Sequence, residues 1–229
     1  ENNLLPGISF ILSRKMIEKM GNSFHINLHT DEQMIHTAAK ESDNIMRRFG
    51  NVSEYTSLED YKRLVKMFER GIGIHHSGML PVFRELVEIM FEKGYVKMLL
   101  ATETFAIGMN MPTKTVVFTN LRKFDGREFR YFHPHEYTQA AGRAGRRGKD
   151  TVGHVFHLNS LFEMPTEHEY QQIMCNRGDV LRSKYSIDLK TVLNMSNESS
   201  KTSEISDHIS KSMMGFEICS EISELKKEL

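Results

Sequence analysis

The sequence contains no tryptophan, five prolines and only two cysteines in 229 residues. Cys175 and Cys219 lie 44 positions apart, with no histidine at a spacing that suits zinc, so a zinc site or a disulfide scaffold is disfavoured and a reducing compartment is favoured. No run approaches the ~18 apolar residues of a membrane helix, and the first ten residues lack the basic region and cleavage site of a secretory signal. We therefore expect an intracellular protein, nuclear or cytoplasmic, with no metal site and no membrane partner.

The formal net charge is zero, but the charges are unevenly distributed. Residues 1–150 carry an excess of four positive charges, and residues 151–229 carry an equal negative excess. The densest basic run, residues 122–149, has eight Lys and Arg side chains against three acidic ones. Such a run suits a polyanionic ligand, but a solvated surface is the commoner explanation, so charge alone does not identify a partner.

Short apolar runs alternate with stretches of helical periodicity along the first two thirds of the chain. The runs at 7–12, 72–75, 96–101, 116–118 and 155–158 predict strands, and the intervening stretches at 14–20, 31–49, 57–71, 81–90 and 134–141 predict helices. Strands separated by helices favour parallel pairing, so we predict an α/β fold with a parallel sheet flanked by helices. Ligands bind beyond the carboxyl ends of the strands in such sheets, which makes those loops candidate sites.

The character of the sequence changes near residue 160. Residues 163–174 and 187–193 form amphipathic segments without strong strand signals beside them, and residues 196–212 are rich in serine. The serine-rich stretch fits a flexible linker or an ordered helix equally well. We therefore predict one domain over 1–160 and a mostly helical segment over 161–229.

The strongest candidate site is the sequence QAAGRAGRRG at 139–148. Three glycines at a spacing of three let the backbone turn and approach a ligand closely, and the arginines between them provide permanently charged, forked donors. Planar bidentate donors match the oxygens of a polyphosphate. A disordered RNA-binding tail is the alternative, but such tails lack the apolar helix and strand that flank this segment. We therefore predict a structured phosphate site.

Two further loops follow predicted strands. In ATETFAIGMNMP (101–112), Thr102 can offer a hydroxyl and an N–H to an anion, while Gly108 and Asn110 provide a close-approach backbone and a polar tip. In HHSGMLP (75–81), the two histidines are adjacent, and adjacent side chains on an extended chain point to opposite faces. A buried or nucleic-acid-facing histidine is therefore favoured over a metal ligand.

The order and spacing of these loops resemble the second RecA-like domain of superfamily 2 DExH-box helicases. The matching elements are motif IV at 9–14, the HHSG element at 75–78, motif V at 101–112 and motif VI at 139–147. Motif V together with RKFDG at 122–126 is similar to the superkiller and exosome-cofactor RNA helicases. DNA-repair and spliceosomal relatives are expected to have Ser-Thr-Leu-Ala and His-His-Ala-Gly instead. The resemblance spans 6–160 and continues faintly through 177–194, where the family begins a winged-helix domain.

The resemblance implies a RecA-like fold and a nucleotide site that uses ATP with Mg²⁺. Arg143 and Arg146 match arginines that reach across an interdomain cleft to the ATP phosphates, and Gln139 matches a glutamine that senses the nucleotide. The implied cofactor-binding residues are Gly108, Asn110 and Gly142. Asn110 stands where related DEAD-box proteins have an acidic residue, so a charged ribose contact is not expected.

The resemblance also implies a path for RNA across the domain. Thr102 matches a threonine that holds an RNA phosphate. The complete set implied to line this path is Ser13, Arg14, His76, Ser77, Gly78, Thr102 and Glu103. Backbone and hydroxyl contacts to phosphates carry no sequence information, which suits a motor that moves along any strand.

No Gly-x-x-x-x-Gly-Lys-Ser/Thr loop and no Asp-Glu-x-His quartet occurs in the sequence. We therefore expect the phosphate-gripping loop and the Mg²⁺ carboxylates in a first RecA-like domain in cis, outside these residues, and no ATP hydrolysis by this chain alone. The expected function is that of the C-terminal motor domain of a 3′-to-5′ RNA helicase in RNA processing or decay. It would act on single-stranded or 3′-tailed RNA, within an RNA-decay complex. Two alternatives remain open: a DNA helicase of the same superfamily and a non-catalytic nucleic-acid-binding module.

Overall fold

A computed structural model of the protein describes residues 4–105, 113–146, 148–158, 165–175, 211 and 213–228. The chain divides into two compact units, residues 1–178 and 179–229. The strands of the first unit are β1 (Gly7–Phe10), β2 (Ile72–His75), β3 (Met98–Ala101), β4 (Thr115–Phe118), β5 (Arg122–Phe124), β6 (Phe129–Tyr131) and β7 (His154–His157). Its helices are α1 (Arg14–Ser23), α2 (Glu32–Met46), α3 (Val52–Ser57), α4 (Glu59–Phe68), α5 (Pro81–Glu92), α6 (Pro134–Ala141) and α7 (Glu167–Cys175).

Five parallel strands form the central sheet in the order β2-β3-β1-β4-β7, which confirms the predicted RecA-like α/β architecture. The strands end at the same level, since Phe10 at the end of β1 pairs with Ala101 of β3 and Phe118 of β4. His75 at the end of β2 also pairs with Ala101. The loops that follow these strands therefore leave the sheet along one edge.

The sheet is covered on both faces. Every residue of β1 and β2 is buried, and strands that bury both side-chain directions need helices on both sides. Phe118 is the centre of an aromatic cluster, with ring centroids 5.5 Å from Phe10, 5.2 Å from Tyr137 and 6.0 Å from Phe132. This cluster anchors α6 on the sheet.

The helices differ from the sequence prediction in two places. The helix expected from Ser57 onward begins instead at Glu59, as α4, and a separate short helix that was not predicted, α3, precedes it and ends at Ser57. Ser57 is the last residue of α3, and its hydroxyl donates to the carbonyl of Glu54 instead of capping the next helix. The first helix, expected to stop before Gly21, continues to Ser23 because Gly21 is buried within it against β2.

Strands β5 and β6 form an antiparallel hairpin that the sequence analysis did not predict. Oδ1 of Asp125 accepts the backbone N–H groups of Arg127 and Glu128 at 2.9 and 3.0 Å, and Gly126 has a φ of +103°. The hairpin exposes two rings, Phe124 and Phe129, whose centroids are 5.3 Å apart. An Asp-Gly pair is a recognised hairpin signal, so this element was predictable.

The second unit contains α8 (Met213–Glu228), which exposes Phe216, Ile222 and Leu225. The predicted segment 187–193 and nearly all of the serine-rich stretch 196–212 lie outside the described residues. The domain boundary near residue 160 stays a prediction. Among the helices that the structure describes, none combines the length and the apolar character needed to span a bilayer.

Candidate functional site

Most of the expected site residues that the structure describes fall into two groups, at opposite edges of the sheet. We call Ser13, Arg14, His76, Ser77, Gly78, Thr102 and Glu103 the carboxyl-edge group, because they follow the ends of β1, β2 and β3. We call residues 142–146 the arginine loop. This loop lies beside the start of β4, since Ala144 forms a parallel bridge with Thr113. Four-residue strands separate the two edges by roughly 13 Å, at ~3.3 Å per residue.

Ser13 and Arg14 lie where the chain turns from β1 into α1. The Oγ of Ser13 accepts the backbone N–H of Met16 at 3.4 Å and so caps α1, which begins at residue 14 as predicted. The exposed side chain of Arg14 lies beside the turn after β2, with its Cδ 3.6 Å from the position that a Cβ on Gly78 would take. The fold therefore brings together residues that are 64 positions apart in sequence, at the positive end of a helix.

His76 is buried beneath this turn, where it supports the backbone. Its Nδ1 accepts the N–H of Gly78 at 3.1 Å, and its Nε2 lies 2.9 Å from Oε1 of Glu18. Oε2 of Glu18 in turn lies 2.9 Å from Arg63 of α4. Ser77 is exposed at the top of the turn. Glu18 and Arg63 were not identified from the sequence, because nothing local relates them to His76.

Thr102 and Glu103 are more constrained than the sequence suggested. The N–H of Thr102 donates to the carbonyl of His75 at 3.2 Å, so the expectation that this N–H is available to an anion is wrong. The Thr102 hydroxyl is 2.8 Å from that of Thr104. Glu103 lies 3.4 Å from Nζ of Lys123 on β5. Gly108 and Asn110, predicted near the nucleotide, lie outside the described residues.

Much of the basic run at 122–149 is neutralised by local carboxylates. Glu136 pairs with Arg130 at 2.8 and 3.0 Å and with Lys123 at 2.9 Å, and it also accepts the N–H of His133 at 2.9 Å. Burial alone would raise the pKa of Glu136, but hydrogen bonds from Arg130, His133 and Lys123 hold that pKa well below its usual value. The run is therefore partly a structural ion-pair network and not a bare surface for a polyanion.

The backbone of the arginine loop is held between β4 and the segment before β7. Thr113 donates its N–H to the carbonyl of Arg143 at 2.8 Å and accepts the N–H of Gly145 at 2.6 Å. Gly153 packs directly against this loop, because a Cβ on it would overlap the carbonyl group of Ala144. Gly142 caps α6, donating to Thr138 at 2.8 Å, and Gln139 is exposed in the last turn of that helix. The loop is thus a fixed platform for its arginines.

Arg146 makes a bidentate ion pair with Asp150. Its Nε lies 2.7 Å from Oδ2 and its Nη2 lies 2.9 Å from Oδ1, and Oδ2 also accepts the backbone N–H of Arg146 at 3.0 Å. The Asp150 side chain is only 6% exposed, whereas that of Arg146 is 31% exposed. The guanidinium lowers the pKa of Asp150 well below its usual range. The sequence analysis missed this partner, although an Arg and an Asp four positions apart are a signal for such a pair.

These donors suit an anionic ligand and not a metal ion. Arg143, partly buried, and Arg146 come from one fixed loop, and paired guanidinium groups match phosphate oxygens. In the part of the chain that the structure describes, no three His, Cys, Asp or Glu side chains converge in a way that could hold a metal.

A protein-family model and several known helicases match the part of the chain that contains this site. The family model described as the helicase conserved C-terminal domain matches residues 32–148, which include the turn after β2 and the arginine loop. The chain is 39% identical to the exosome RNA helicase MTR4 of Homo sapiens over 85% of its own length and 18% of that protein. It is 37% identical to the antiviral helicase SKI2 of Saccharomyces cerevisiae over 85% of its length and 15% of that protein.

An uncharacterized helicase of Schizosaccharomyces pombe is 36% identical over the full chain and 22% of its own length. The chain thus spans about a fifth of the length of the relatives it matches. The chain belongs to the helicase conserved C-terminal domain family, and within it to the DExH-box type represented by the exosome-cofactor and superkiller helicases.

Proposed function

We propose that this chain is the second, C-terminal motor domain of an ATP-dependent RNA helicase. The observation that carries the proposal is the arginine loop, a rigid backbone at the sheet edge that holds Arg146 in a defined, partly exposed position. Relatives matched over most of the chain carry the names exosome RNA helicase and antiviral helicase, which supports this assignment. A DNA helicase of the same superfamily has no observation in its favour.

The arginine loop would face a nucleotide held mainly by a first RecA-like domain. ATP bound with Mg²⁺ supplies the phosphoanhydride bond, and the phosphate-gripping loop and Mg²⁺ carboxylates belong to that first domain. Arg143 and Arg146 would neutralise charge on the transferring phosphoryl group, with Gln139 sensing the nucleotide. Gly108, Asn110 and Gly142 would lie near the nucleotide.

The carboxyl-edge group would bind the RNA backbone. Arg14 and the positive end of α1 attract a phosphate, and the exposed Ser77 offers a hydroxyl beside them. Thr102 would contribute its hydroxyl and not its N–H, which is bonded to His75. Since none of these contacts reads a base, the domain would grip any sequence, as 3′-to-5′ translocation on single-stranded or 3′-tailed RNA requires.

The names of the relatives support a proposal for the cellular role. We infer an intracellular protein that feeds RNA processing or decay, in association with an RNA-decay complex. The chain itself, without a first RecA-like domain, is expected to bind RNA and to hydrolyse no ATP.

The first experiment measures RNA-stimulated ATP hydrolysis by the full-length protein that carries this chain. Arg146→Ala and Arg143→Ala should each lower the turnover number by about 10³-fold or more, the contribution of an arginine at a transferring phosphoryl group. Arg127→Ala, which removes an exposed arginine at the hairpin tip, is the matched control and should retain full activity. Normal hydrolysis by both loop variants would refute the proposed function.

A second experiment separates RNA from DNA. The logarithm of the chain's affinity for single-stranded RNA should fall with log salt by about 0.7 per phosphate contact, whereas a salt-independent affinity would contradict the phosphate-gripping role. Full-length protein should unwind a 3′-tailed RNA duplex faster than the DNA duplex of the same sequence. A preference for the DNA duplex would move the assignment to a DNA helicase.

A further inference from the structure

Asp150 occupies one edge of the Arg146 guanidinium and leaves another edge accessible. A guanidinium has five N–H donors in a fixed plane, and the ion pair uses the Nε donor and one Nη2 donor. Among the described residues, Nη1 of Arg146 has no hydrogen-bond partner, and the side chain is 31% exposed. The edge formed by Nη1 and the second Nη2 donor can therefore still make a bidentate contact to a phosphate.

The Asp150 carboxylate is itself firmly fixed. Besides the two guanidinium contacts, its Oδ2 accepts the N–H of Arg146 at 3.0 Å, and the Asp150 N–H donates to the Arg146 carbonyl at 2.9 Å. Arg146 and Asp150 are thus joined by both backbone and side-chain hydrogen bonds. Because the carboxylate is 6% exposed and accepts from both the backbone N–H and the guanidinium of Arg146, it holds the arginine in one orientation.

We propose that Asp150 is a positioning residue for ATP hydrolysis, which orients Arg146 so that its Nη1–Nη2 edge faces the triphosphate. This inference rests on the proposed function and adds a residue to it. A long arginine side chain loses substantial rotamer freedom when it is ordered, and the ion pair imposes that order before the nucleotide arrives. Asp150 touches neither the substrate nor the reacting atoms, so its whole effect passes through Arg146.

The test is a double-mutant cycle in the full-length protein, with Asp150→Asn, Arg146→Ala and the combined variant. Asp150→Asn should lower kcat for RNA-stimulated ATP hydrolysis by about 10²-fold, the cost of a misplaced catalytic contact, while KM for ATP changes by less than about threefold. In the Arg146→Ala background the Asp150→Asn substitution should have no further effect on kcat, because the side chain that Asp150 orients is absent. Single-turnover rates measure the residual activities.

The outcomes separate this inference from the proposed function. Full activity of both Arg146→Ala and Arg143→Ala would refute the proposed function, and full activity of Arg146→Ala alone would overturn the positioning role, because Asp150 acts only through Arg146. A severe loss in Arg146→Ala with wild-type activity in Asp150→Asn would overturn the positioning role alone. An equal loss on adding Asp150→Asn in both backgrounds would also overturn it, because the effect would then be structural and independent of Arg146. Asp31→Asn, which removes one carboxylate charge but keeps a helix cap, is the matched control and should leave kcat unchanged.

Discussion

The Nδ1 atom of His76 accepts a 3.1 Å hydrogen bond from the backbone N–H of Gly78, and this contact fixes both the tautomer of the ring and the shape of the turn. Because Nδ1 is the acceptor, Nε2 carries the ring proton and donates to Glu18, 2.9 Å away. Arg63 of α4 holds the other oxygen of Glu18. The turn that exposes Ser77 is therefore supported by a chain of contacts that reaches through α1 to α4.

Replacing His76 with alanine should weaken RNA binding by this chain. The turn loses the acceptor that holds Gly78, so single-stranded RNA affinity should fall about 3- to 10-fold, equivalent to the ~0.5–1.5 kcal/mol contributed by one hydrogen bond. Fluorescence anisotropy at fixed salt measures this change. His25→Ala removes an exposed histidine and is the matched control. An unchanged affinity in His76→Ala, with the fold intact by circular dichroism, would show that the turn does not contribute to RNA binding.

The sheet was predictable because its signals are local. Each strand is a short apolar run bounded by glycine, proline or polar residues, and the helix starts predicted at residues 14 and 81 are confirmed. Parallel pairing follows from the alternation of strands and helices. The positions of two of the three candidate loops followed from the rule that parallel strands end at one edge. The arginine loop lies at the other edge, because α6 carries the chain back across the sheet.

The contacts that give the site its chemistry were less predictable. His76 meets Glu18 across 58 positions, and no local pattern in either segment specifies that contact. The pair of Arg146 and Asp150 is an exception, because an Arg and an Asp four positions apart are a local signal from which it was predictable. The inaccessible N–H of Thr102 depends on the position of β2 beside β3, which only the assembled sheet defines.

Lowering the pH should reduce the free energy of unfolding, because the ionised carboxylate of Glu136 stabilises the folded state. A carboxylate whose pKa is lowered in the folded state stabilises the fold fully above its unfolded-state pKa, about 4.3, and this stabilisation is lost as the pH falls toward the folded value. Glu136→Gln should therefore lower the free energy of unfolding by about 1.5–3 kcal/mol at pH 7, as expected for hydrogen bonds to charged groups. The deficit should shrink at pH 3.

Urea unfolding at pH 7 and pH 3 checks this prediction. Glu85→Gln is the control, because Glu85 is exposed and makes no ion pair with any residue that the structure describes. It should change stability by less than about 0.5 kcal/mol at either pH. A Glu136→Gln deficit that is equal at both pH values would show that the side chain stabilises the hairpin and α6 without its charge.

The aromatic cluster around Phe118 should dominate the stability of the sheet on the β4 side. Phe118→Ala leaves a cavity between β1 and α6, and we expect a loss of about 3–5 kcal/mol in the free energy of unfolding. Phe156 on the neighbouring edge strand is 42% exposed, so Phe156→Ala should cost about 1 kcal/mol or less. Chemical denaturation of both variants tests the difference, and similar losses would mean that β7 is as well buried in solution as β4.

The close packing of Gly153 on the arginine loop should make this position intolerant of any side chain. A Cβ there would overlap the carbonyl of Ala144 and lie 2.7 Å from the nitrogen of Gly145, so the loop must shift. We expect Gly153→Ala to cost about 1–3 kcal/mol in stability, as overpacking does. The shift would also move Arg146 relative to the nucleotide, with a fall of about 10²-fold in RNA-stimulated ATP hydrolysis by the full-length protein.

Gly50→Ala provides the comparison, because a Cβ on Gly50 meets no atom within 4 Å. This variant should retain both stability and hydrolysis. If Gly153→Ala lost stability but kept full hydrolysis, the loop backbone would be able to move without displacing its arginines. The rigid-platform description of the loop would then be wrong, because the activity of Arg146 would depend on Asp150 and not on the packing beneath it.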